Sequence, residues 1–203
     1  MSRKEDEEYS KLDFSKLHGW YHDEIGKITS NLGRVLDIGS GSGELMINLA
    51  RKFSYLEIIG VDASERMIEI SNENIRESGV SGVKSIYGAV PNLTLEKNSF
   101  DTIVSKVVLH HFDNPLDFWK QIKDSIKEDG KIFVMDLRRP DSIEDVDEIL
   151  GGTDDTHNEI NKRLLRQSLM SSFTEDEIKK QLDDVGLNLK IDKFGSKYLF
   201  IHS

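Results

Sequence analysis

The sequence predicts an α/β fold in which helices cover both faces of a mainly parallel, doubly wound sheet. Short runs rich in β-branched residues alternate with longer segments of helical periodicity, the pattern typical of such a sheet. The last two runs are separated by only a few residues around Gly195. Because a parallel crossover needs a longer connection, this final pair is expected to form an antiparallel hairpin. With 203 residues, 37% of them hydrophobic, the chain is expected to form a single domain over 1–203.

The β-rich runs and the helix signals between them define the expected elements. The expected strands are 34–38, 56–61, 83–87, 100–105 and 131–135, followed by 187–191 and 197–201. Ser64 is placed to cap a helix that ends near Gly79, and Asn114 precedes Pro115 at another helix start. A capping-box pattern at 174–177 begins the last helix. The helix that starts at Pro115 has an expected buried stripe of Leu116, Trp119, Ile122 and Ile126.

Two segments lie outside this alternation of strands and helices. Residues 1–30 begin with a charged stretch and continue with helical spacing, which predicts an N-terminal helical cap. Residues 138–172 are polar, and the stretch 141–160 contains eight acidic residues and no Lys or Arg. We interpret 138–172 as a candidate lid that selects the substrate. The alternative is that its charge run is a solvated face.

The composition argues against several classes of function. The chain has 27 Lys and Arg against 37 Asp and Glu, a net charge of −10, which disfavours binding to nucleic acid or to anionic lipid. There is no cysteine, so no disulfide can form. The longest apolar runs are a few residues long, whereas a membrane span needs about 20. The charged first residues lack the apolar region of a signal peptide. We therefore expect a cytoplasmic protein with no membrane partner.

A glycine-rich turn and a carboxylate follow the first two strands. In an open parallel sheet, ligands bind beyond the carboxyl ends of the strands. Gly39 and Gly41 allow the backbone to turn tightly and to approach a ligand, and Gly43 begins a helix whose free N–H groups favour a negative group. Asp62 lies 23 positions after Gly39, the usual interval for a carboxylate that accepts from ribose hydroxyls. These features predict a site for a ligand that contains a ribose.

The spacing of the glycines separates two classes of nucleotide ligand. The pattern is G-x-G-x-G, and Glu44 occupies the place of the third glycine of a dinucleotide-binding loop. A carboxylate there is a poor neighbour for a pyrophosphate. Asp37, two residues before Gly39, instead suits a ligand that carries an ammonium or sulfonium charge. An NAD-dependent oxidoreductase is therefore kept only as an alternative.

Five segments of the chain carry a family resemblance. They are VLDIGSGSGE at 35–44, IGVDAS at 59–64, NSFDTIVSKVVLHHF at 98–112, IKEDGKIFVMD at 126–136, and the stretch 173–186. In this order they resemble the motifs of class I S-adenosyl-L-methionine (SAM)-dependent methyltransferases, in the small-molecule, ubiquinone/menaquinone-methyltransferase-like branch. The resemblance implies a Rossmann-like seven-stranded sheet in the order 3-2-1-4-5-7-6, with strand seven antiparallel. It also implies SAM as the cofactor.

The same resemblance implies a role for individual residues. Asp37 and the backbone at Gly39, Ser40 and Gly41 would hold the methionine part of SAM. Asp62 would accept from the ribose hydroxyls.

On the other parts of the cofactor, Ala63 and Met67 would flank the adenine, and the backbone of Ser105 would lie near the sulfonium. Where the family often has an acidic residue that contacts the adenine amino group, this chain has Ala89 and Val90. Either a backbone carbonyl replaces that contact, or the adenine is held by less polar contacts.

Candidate residues for the acceptor side follow strands four and five, and one precedes the first strand. His110 and His111 could deprotonate an acceptor, or His110 could pack under the sheet while His111 caps a turn. Arg138 and Arg139 could receive a carboxylate or phosphate, or pair with the acidic residues downstream. Tyr21 could contact the cofactor or substrate, or fill the core. Asp113 is close to the histidines in the sequence, but nothing fixes a third ligand at a geometry suited to a metal ion, so no metal site is expected.

The reaction implied by the resemblance is an in-line displacement at the cofactor methyl group by a small-molecule acceptor. A base is needed only if the acceptor must lose a proton. Because methyl transfer needs few dedicated side chains, a non-catalytic SAM-binding scaffold or regulatory subunit is the alternative from a different class.

Overall fold

Seven strands form one sheet in the order β3-β2-β1-β4-β5-β7-β6. The computed structural model describes residues 15–28, 32–53, 56–152 and 159–203. Neighbouring strands among β1 to β5 are parallel, and β7 runs antiparallel to both β5 and β6. The predicted α/β class, strand order and closing hairpin are confirmed. The strands are β1 (Arg34–Ile38), β2 (Glu57–Asp62), β3 (Val83–Tyr87), β4 (Phe100–Lys106), β5 (Ile126–Leu137), β6 (Lys190–Phe194) and β7 (Tyr198–His202).

Helices connect the strands and begin and end where the sequence signals predict. The side chain of Ser64 caps one helix, which ends at Gly79 with a φ of 70°. Asn114 caps the next, and Thr174 forms a capping box with Glu177. The helices are α1 (Ser15–Ile28), α2 (Glu44–Lys52), α3 (Glu65–Ser78), α4 (Pro115–Ser125), α5 (Ile143–Gly151), α6 (Glu159–Ser171) and α7 (Glu175–Val185), and a short 3₁₀ turn spans Leu109–His111.

Each face of the sheet packs against its own set of helices. Alternate residues of a strand point to opposite faces, so the central strands supply both cores. One core joins the strands to α4 and α7 and includes the buried Trp119 and Leu182. The other joins them to α1 and α2 and includes the buried Tyr21, Met46 and Leu49. This arrangement leaves the carboxyl ends of the parallel strands as the edge at which a ligand can bind.

The buried stripe of α4 differs from the sequence-based expectation. Trp119 is buried as expected, but Leu116 is only half-buried and Phe118 is buried instead. Ile126 is also half-buried, because α4 ends at Ser125 and Ile126 is the first residue of β5. The expected start of that strand at residue 131 was therefore too late.

The two closing strands begin three residues and one residue later than expected, at Lys190 and Tyr198. Gly186 ends α7 with a left-handed φ of 67°, and the N–H of Leu187 donates to the carbonyl of Leu182 at 2.9 Å. This helix-ending motif uses the residues just after the helix, so the strand cannot begin there.

Within 138–172, the described residues form two helices that contact each other, α5 and α6. The buried side chains of Leu137, Val146 and Leu169 form a third small core at the carboxyl end of β5. The helical cap at 1–30 is described only in part, and its residues 1–14 and 29–30 lie outside the described ranges. The single-domain extent, the cap and the lid remain predictions. None of the described helices is long and apolar enough to cross a membrane.

We expect Gly39→Ala to destabilise the protein more than Gly79→Ala. Both glycines have a left-handed φ, 75° and 70°, so both substitutions introduce about 1–2 kcal/mol of backbone strain. An added Cβ at Gly39 would also lie 2.3 Å from the Val108 side chain, whereas nothing lies within 4 Å at Gly79. Overpacking of this kind costs about 1–3 kcal/mol more. Urea unfolding of both variants measures the difference, and equal losses would contradict the close packing at Gly39.

Candidate functional site

The turn after β1 is fixed to the end of β2 by its own backbone. The N–H groups of Gly39 and Ser40 both donate to the carbonyl of Val61, at 2.8 and 3.0 Å. Gly39 must lack a Cβ because Val108, from the loop after β4, packs against it. At Gly41, where φ is 52°, nothing lies within 4 Å of the position that a Cβ would take. The turn is thus packed at Gly39 and open at Gly41, where a ligand could approach.

Gly43 has a packing role in addition to the helix start that the sequence predicts. A Cβ at Gly43 would lie 2.3 Å from the hydroxyl of Ser71, so α2 and α3 approach closely there. Its N–H donates to the carbonyl of Ser40 at 3.0 Å. Gly60 in β2 has a similar role that sequence reasoning missed, since its Cβ would lie 2.4 Å from the sulfur of Met46. An isolated glycine within a strand is the signal that could have found it.

Asp37 is a buried carboxylate for which the described residues provide no hydrogen-bond partner. It is 1% exposed, and neither Oδ1 nor Oδ2 accepts a hydrogen bond from the described part of the chain. Burial raises the pKa of Asp37 to about 7, with a smaller effect of Asp62 in the same direction and an opposing effect of Lys106. The hydroxyl of Ser40 is also buried without a described partner. Unpartnered buried polar groups are rare and costly, so this arrangement fits a ligand that brings N–H donors and a positive charge.

The methionine part of SAM carries such a group, its ammonium. The open backbone at Gly41 and the unpartnered carboxylate of Asp37 lie at the same turn, so the residues present fit this cofactor. The family resemblance assigned the same two positions.

Asp62 holds the glycine turn from the end of β2. Its Oδ2 accepts from the N–H of Gly41 at 2.9 Å, and its Oδ1 accepts from the N–H of Ser64 at 2.8 Å. Asp62 is thus fixed at the carboxyl end of β2, where the family resemblance places the ribose hydroxyls. The loop after β3 reaches the same place, because the N–H of Gly88 donates to the carbonyl of Asp62 at 3.0 Å.

The predicted adenine-flanking residues follow Asp62 and Gly88 in the chain, and they differ in their exposure. Met67 is buried, Val90 is half-buried, and Ala63 and Ala89 are exposed. Tyr87, in register with Asp62, is 59% exposed and was not singled out by sequence reasoning. An aromatic residue at the end of the third strand is the signal that could have found it.

Ser105 and Tyr21 connect the site to the N-terminal helix. The hydroxyl of Ser105 donates to the carbonyl of Ile38 at 2.8 Å. Tyr21 is fully buried, and its hydroxyl bonds to the carbonyls of Ser105, at 3.3 Å, and Phe133. Burial, and secondarily the charge of Asp37, raise the pKa of Tyr21 well above its usual value. Tyr21 therefore lies near Asp37 and holds α1 against β4 and β5.

Lys106 is a site residue that sequence reasoning missed. It is the last residue of β4 and directly follows Ser105. Burial lowers the pKa of Lys106 to about 8, while the negative charges of Glu44 and Asp37 oppose this shift. Lys106 is thus a cation at pH 7 whose charge acts on Asp37. Its position directly after a predicted strand was the available signal.

His110 and His111 lie together in the 3₁₀ turn after β4, with ring centroids 4.0 Å apart. His110 is 5% exposed, and its Nδ1 lies 2.6 Å from Oδ1 of Asp136 at the end of β5. Its Nε2 is buried and has no partner in the described ranges. Desolvation and the neighbouring His110 lower the pKa of His111 to about 4, so His111 is neutral at pH 7. Asp136 was not singled out by sequence reasoning.

Both candidate arginines have carboxylate partners within the chain. Arg138 contacts Asp141 at 3.1 Å, within the acidic stretch, as the ion-pairing alternative anticipates. Arg139 pairs with Glu177, at the start of α7 and outside that stretch. Arg139 lowers the pKa of Glu177, as do the hydrogen bonds from Thr174, although burial opposes them. The Arg139–Glu177 pair attaches the start of the 138–172 segment to α7, whereas the Arg138–Asp141 pair lies within the segment.

The structure therefore gathers most of the predicted cofactor residues at one edge. Asp37, the glycine turn, Asp62 and Ser105 all lie at the carboxyl ends of β1, β2 and β4. No group of three or more His, Asp or Glu side chains in the described ranges is placed to hold a metal ion.

The family model of a methyltransferase domain matches residues 29–186 of this chain. The uncharacterized methyltransferase YcgJ of Bacillus subtilis is 32% identical over 108 residues, which cover 53% of this chain and 42% of that protein. The demethylmenaquinone methyltransferase of Thermotoga maritima is 25% identical over 175 residues, which cover 80% and 73%. The chain thus spans less than half of the first of these relatives.

Solved structures share the fold. A putative SAM-dependent methyltransferase of Methanococcus maripaludis superposes with a TM-score of 0.72 at 22% identity, over 99% of this chain and 90% of that one. The plantazolicin methyltransferase BpumL gives a TM-score of 0.73 at 16% identity, over 98% and 90%. The chain belongs to the methyltransferase-domain family. The predicted class and its cofactor, SAM, are confirmed.

The pKa of Asp37 predicts that SAM affinity rises with pH. Below pH 7 the carboxyl group of the free protein is mostly protonated, so binding of a cationic ammonium must first displace that proton. Calorimetric titrations with SAM should show affinity about tenfold higher at pH 8 than at pH 6, the change in the ionised fraction of a group with this pKa. Asp37→Asn should bind more weakly and with a flatter pH dependence. An affinity independent of pH in the unmodified protein would contradict the assignment.

Proposed function

We propose that this protein transfers a methyl group from SAM to a small-molecule acceptor by in-line displacement. The observation that carries the proposal is the buried carboxylate of Asp37, which has no hydrogen-bond partner among the described residues and lies beside a glycine turn that is open at Gly41. Family membership supports the reaction class. The acceptor and the residue roles below are inferences from the arrangement of the site.

The chain's contribution to the cofactor is binding and orientation. When bound, SAM supplies a methyl group on a positively charged sulfur. Asp37 would pair with its ammonium, and the backbone at Gly41 would lie along its methionine part. Asp62 would accept from the ribose hydroxyls, and Ala63, Met67, Ala89 and Val90 would border the adenine. Because positioning supplies much of the rate of such a displacement, these contacts account for a large part of the function.

We place the acceptor on the side of the 3₁₀ turn at 109–111. The α5–α6 pair covers this side, since α6 contacts that turn, and we propose it as the substrate-selecting lid. Two relatives are named for organic acceptors, a demethylmenaquinone methyltransferase and a plantazolicin methyltransferase. A small organic acceptor is proposed here by analogy. Arg138 and Arg139 would then act mainly by anchoring this lid, since both are paired.

The two alternatives make different predictions in one experiment. Thermal unfolding is measured with SAM, S-adenosylhomocysteine and NAD, since a ligand that binds the folded state raises the Tm. We expect the first two to raise the Tm and NAD to leave it unchanged, because Glu44 begins α2 where a pyrophosphate would lie. Stabilisation by NAD alone would favour an oxidoreductase. Stabilisation by SAM with no methyl transfer to any acceptor in a broad library would favour a non-catalytic scaffold.

Asp62→Ala should weaken SAM binding about tenfold, since it removes a charged acceptor from the ribose site. The matched control is Asp101→Ala, because Asp101 also accepts a backbone N–H, from Arg34 at 2.8 Å, but at the amino end of β1. Calorimetry should show near-normal SAM affinity for the control even if its Tm falls. Equal SAM affinities for the two variants would show that Asp62 does not contribute to cofactor binding.

A further inference from the structure

Beyond the proposed cofactor site, His110 and Asp136 form a buried pair. Asp136 is the next-to-last residue of β5 and is 3% exposed. Its Oδ2 accepts from the N–H groups of Val108 and Leu109 at 2.8 and 2.6 Å, and its Oδ1 accepts from the N–H of Leu137 at 2.7 Å. Both oxygens are thus already acceptors for backbone donors.

This arrangement fixes the role of each ring nitrogen of His110. Because Asp136 accepts at both oxygens, the contact at 2.6 Å is a hydrogen bond that Nδ1–H donates to Oδ1. In the neutral ring the single N–H is then at Nδ1, and Nε2 carries a free lone pair. Nε2 is buried and has no donor within the described residues. Leaving a buried acceptor unsatisfied is costly, so the position calls for a donor that the described residues do not supply.

The same carboxylate holds the turn that carries the histidine. Val107, just before this turn, has a φ of 59°, a strained conformation for a β-branched residue. Its N–H donates to the carbonyl of Met135 at 2.7 Å, and the next two N–H groups donate to Asp136. The strained turn is therefore fixed to β5 on both sides of Val107, which gives His110 one defined orientation.

We propose that Asp136 is a positioning residue that orients His110 as the base for an acceptor bearing an O–H group. This inference rests on the proposed function. The acceptor's O–H would be the missing donor to Nε2. As the acceptor's O–H bond breaks, its proton goes to Nε2 and the electron pair stays on oxygen. That oxygen forms the new bond to the methyl carbon while the carbon–sulfur bond breaks, with its electron pair on sulfur. An uncharged amine would need no such base to attack.

Asp136→Asn should reverse the tautomer of His110. The amide oxygen is expected to stay with the two N–H groups of Val108 and Leu109, which leaves the amide NH₂ facing Nδ1. The ring proton would then move to Nε2, which could no longer accept a proton. We expect kcat on a hydroxyl acceptor to fall about 10²–10⁴-fold, with SAM affinity unchanged. Nitrogen-15 NMR of the ring nitrogens reports the tautomer in the full chain without any acceptor.

A second variant keeps the test valid if Asp136→Asn folds poorly. His110→Asn retains a donor near the Nδ1 position and removes Nε2, and it also identifies the His110 signals. The matched control is His202→Asn, because Nε2 of His202 lies 2.9 Å from a carboxylate in the same way. That carboxylate is Asp192 of β6, the outermost strand, and His202 pairs with Phe133 rather than with the carboxyl end of β5. The control should keep its transfer rate, whereas His110→Asn should lose it.

The NMR and transfer results decide the inference together. Support would be a Nδ1–H tautomer in the unmodified protein, reversed in Asp136→Asn, with labelled methyl transfer into a library of phenols and carboxylic acids that depends on His110. A Nε2–H tautomer in the unmodified protein, transfer confined to amines, or equal transfer by His110→Asn would overturn it. Failure of the unmodified protein to bind SAM in calorimetry would instead contradict the proposed function.

Discussion

A buried carboxylate that receives no hydrogen bond from the described residues is the constraint on which the site depends. Asp37 lies in β1, an inner strand of the sheet, between Leu36 and Ile38, which both belong to the core on the α4 and α7 side. Its side chain is therefore directed to the opposite face, beside the buried Tyr21. Nearby Lys106 offsets part of its charge, but burial dominates and keeps the pKa near 7. An ionised acid at this position costs folding free energy, because it is buried without a partner in the described ranges. Binding of a cation would offset that cost.

Two buried aspartates, near the carboxyl ends of β1 and β5, differ in their hydrogen bonding. Asp136 has both oxygens occupied by donors of this chain, so it fixes a strained turn and the orientation of His110. Asp37 has no described donor, so it remains available to a ligand. The distinction depends on hydrogen-bond saturation, since both residues are almost fully buried. In the function that we propose, this difference separates the group that shapes the acceptor side from the group that would bind the cofactor.

Local signals in the sequence were enough to predict the alternation of strands and helices, whereas the strand order followed from the family resemblance, and the residue roles at the cofactor site stay predictions. The caps at Ser64 and Thr174 and the alternation of strand and helix depend on neighbouring residues, and the structure agrees with them. The partner of Arg139 could not be predicted, because Glu177 is 38 positions away and is brought near only by α7. Lys106 and Asp136 were missed for the same reason. Their burial and their partners arise because separate strands pack together. The hydrophobic periodicity of the sequence does not show which residues this packing brings into contact.

The most direct test of the central claim is the pKa of the Asp37 carboxyl group, measured by carbon-13 NMR in the free protein and at saturation with SAM. The account predicts a pKa near 7 in the free protein that falls by more than one unit when the ammonium is bound, because an opposite charge favours the ionised form. A pKa that is already in the ordinary range for an aspartate, or one that does not change when SAM binds, would contradict it.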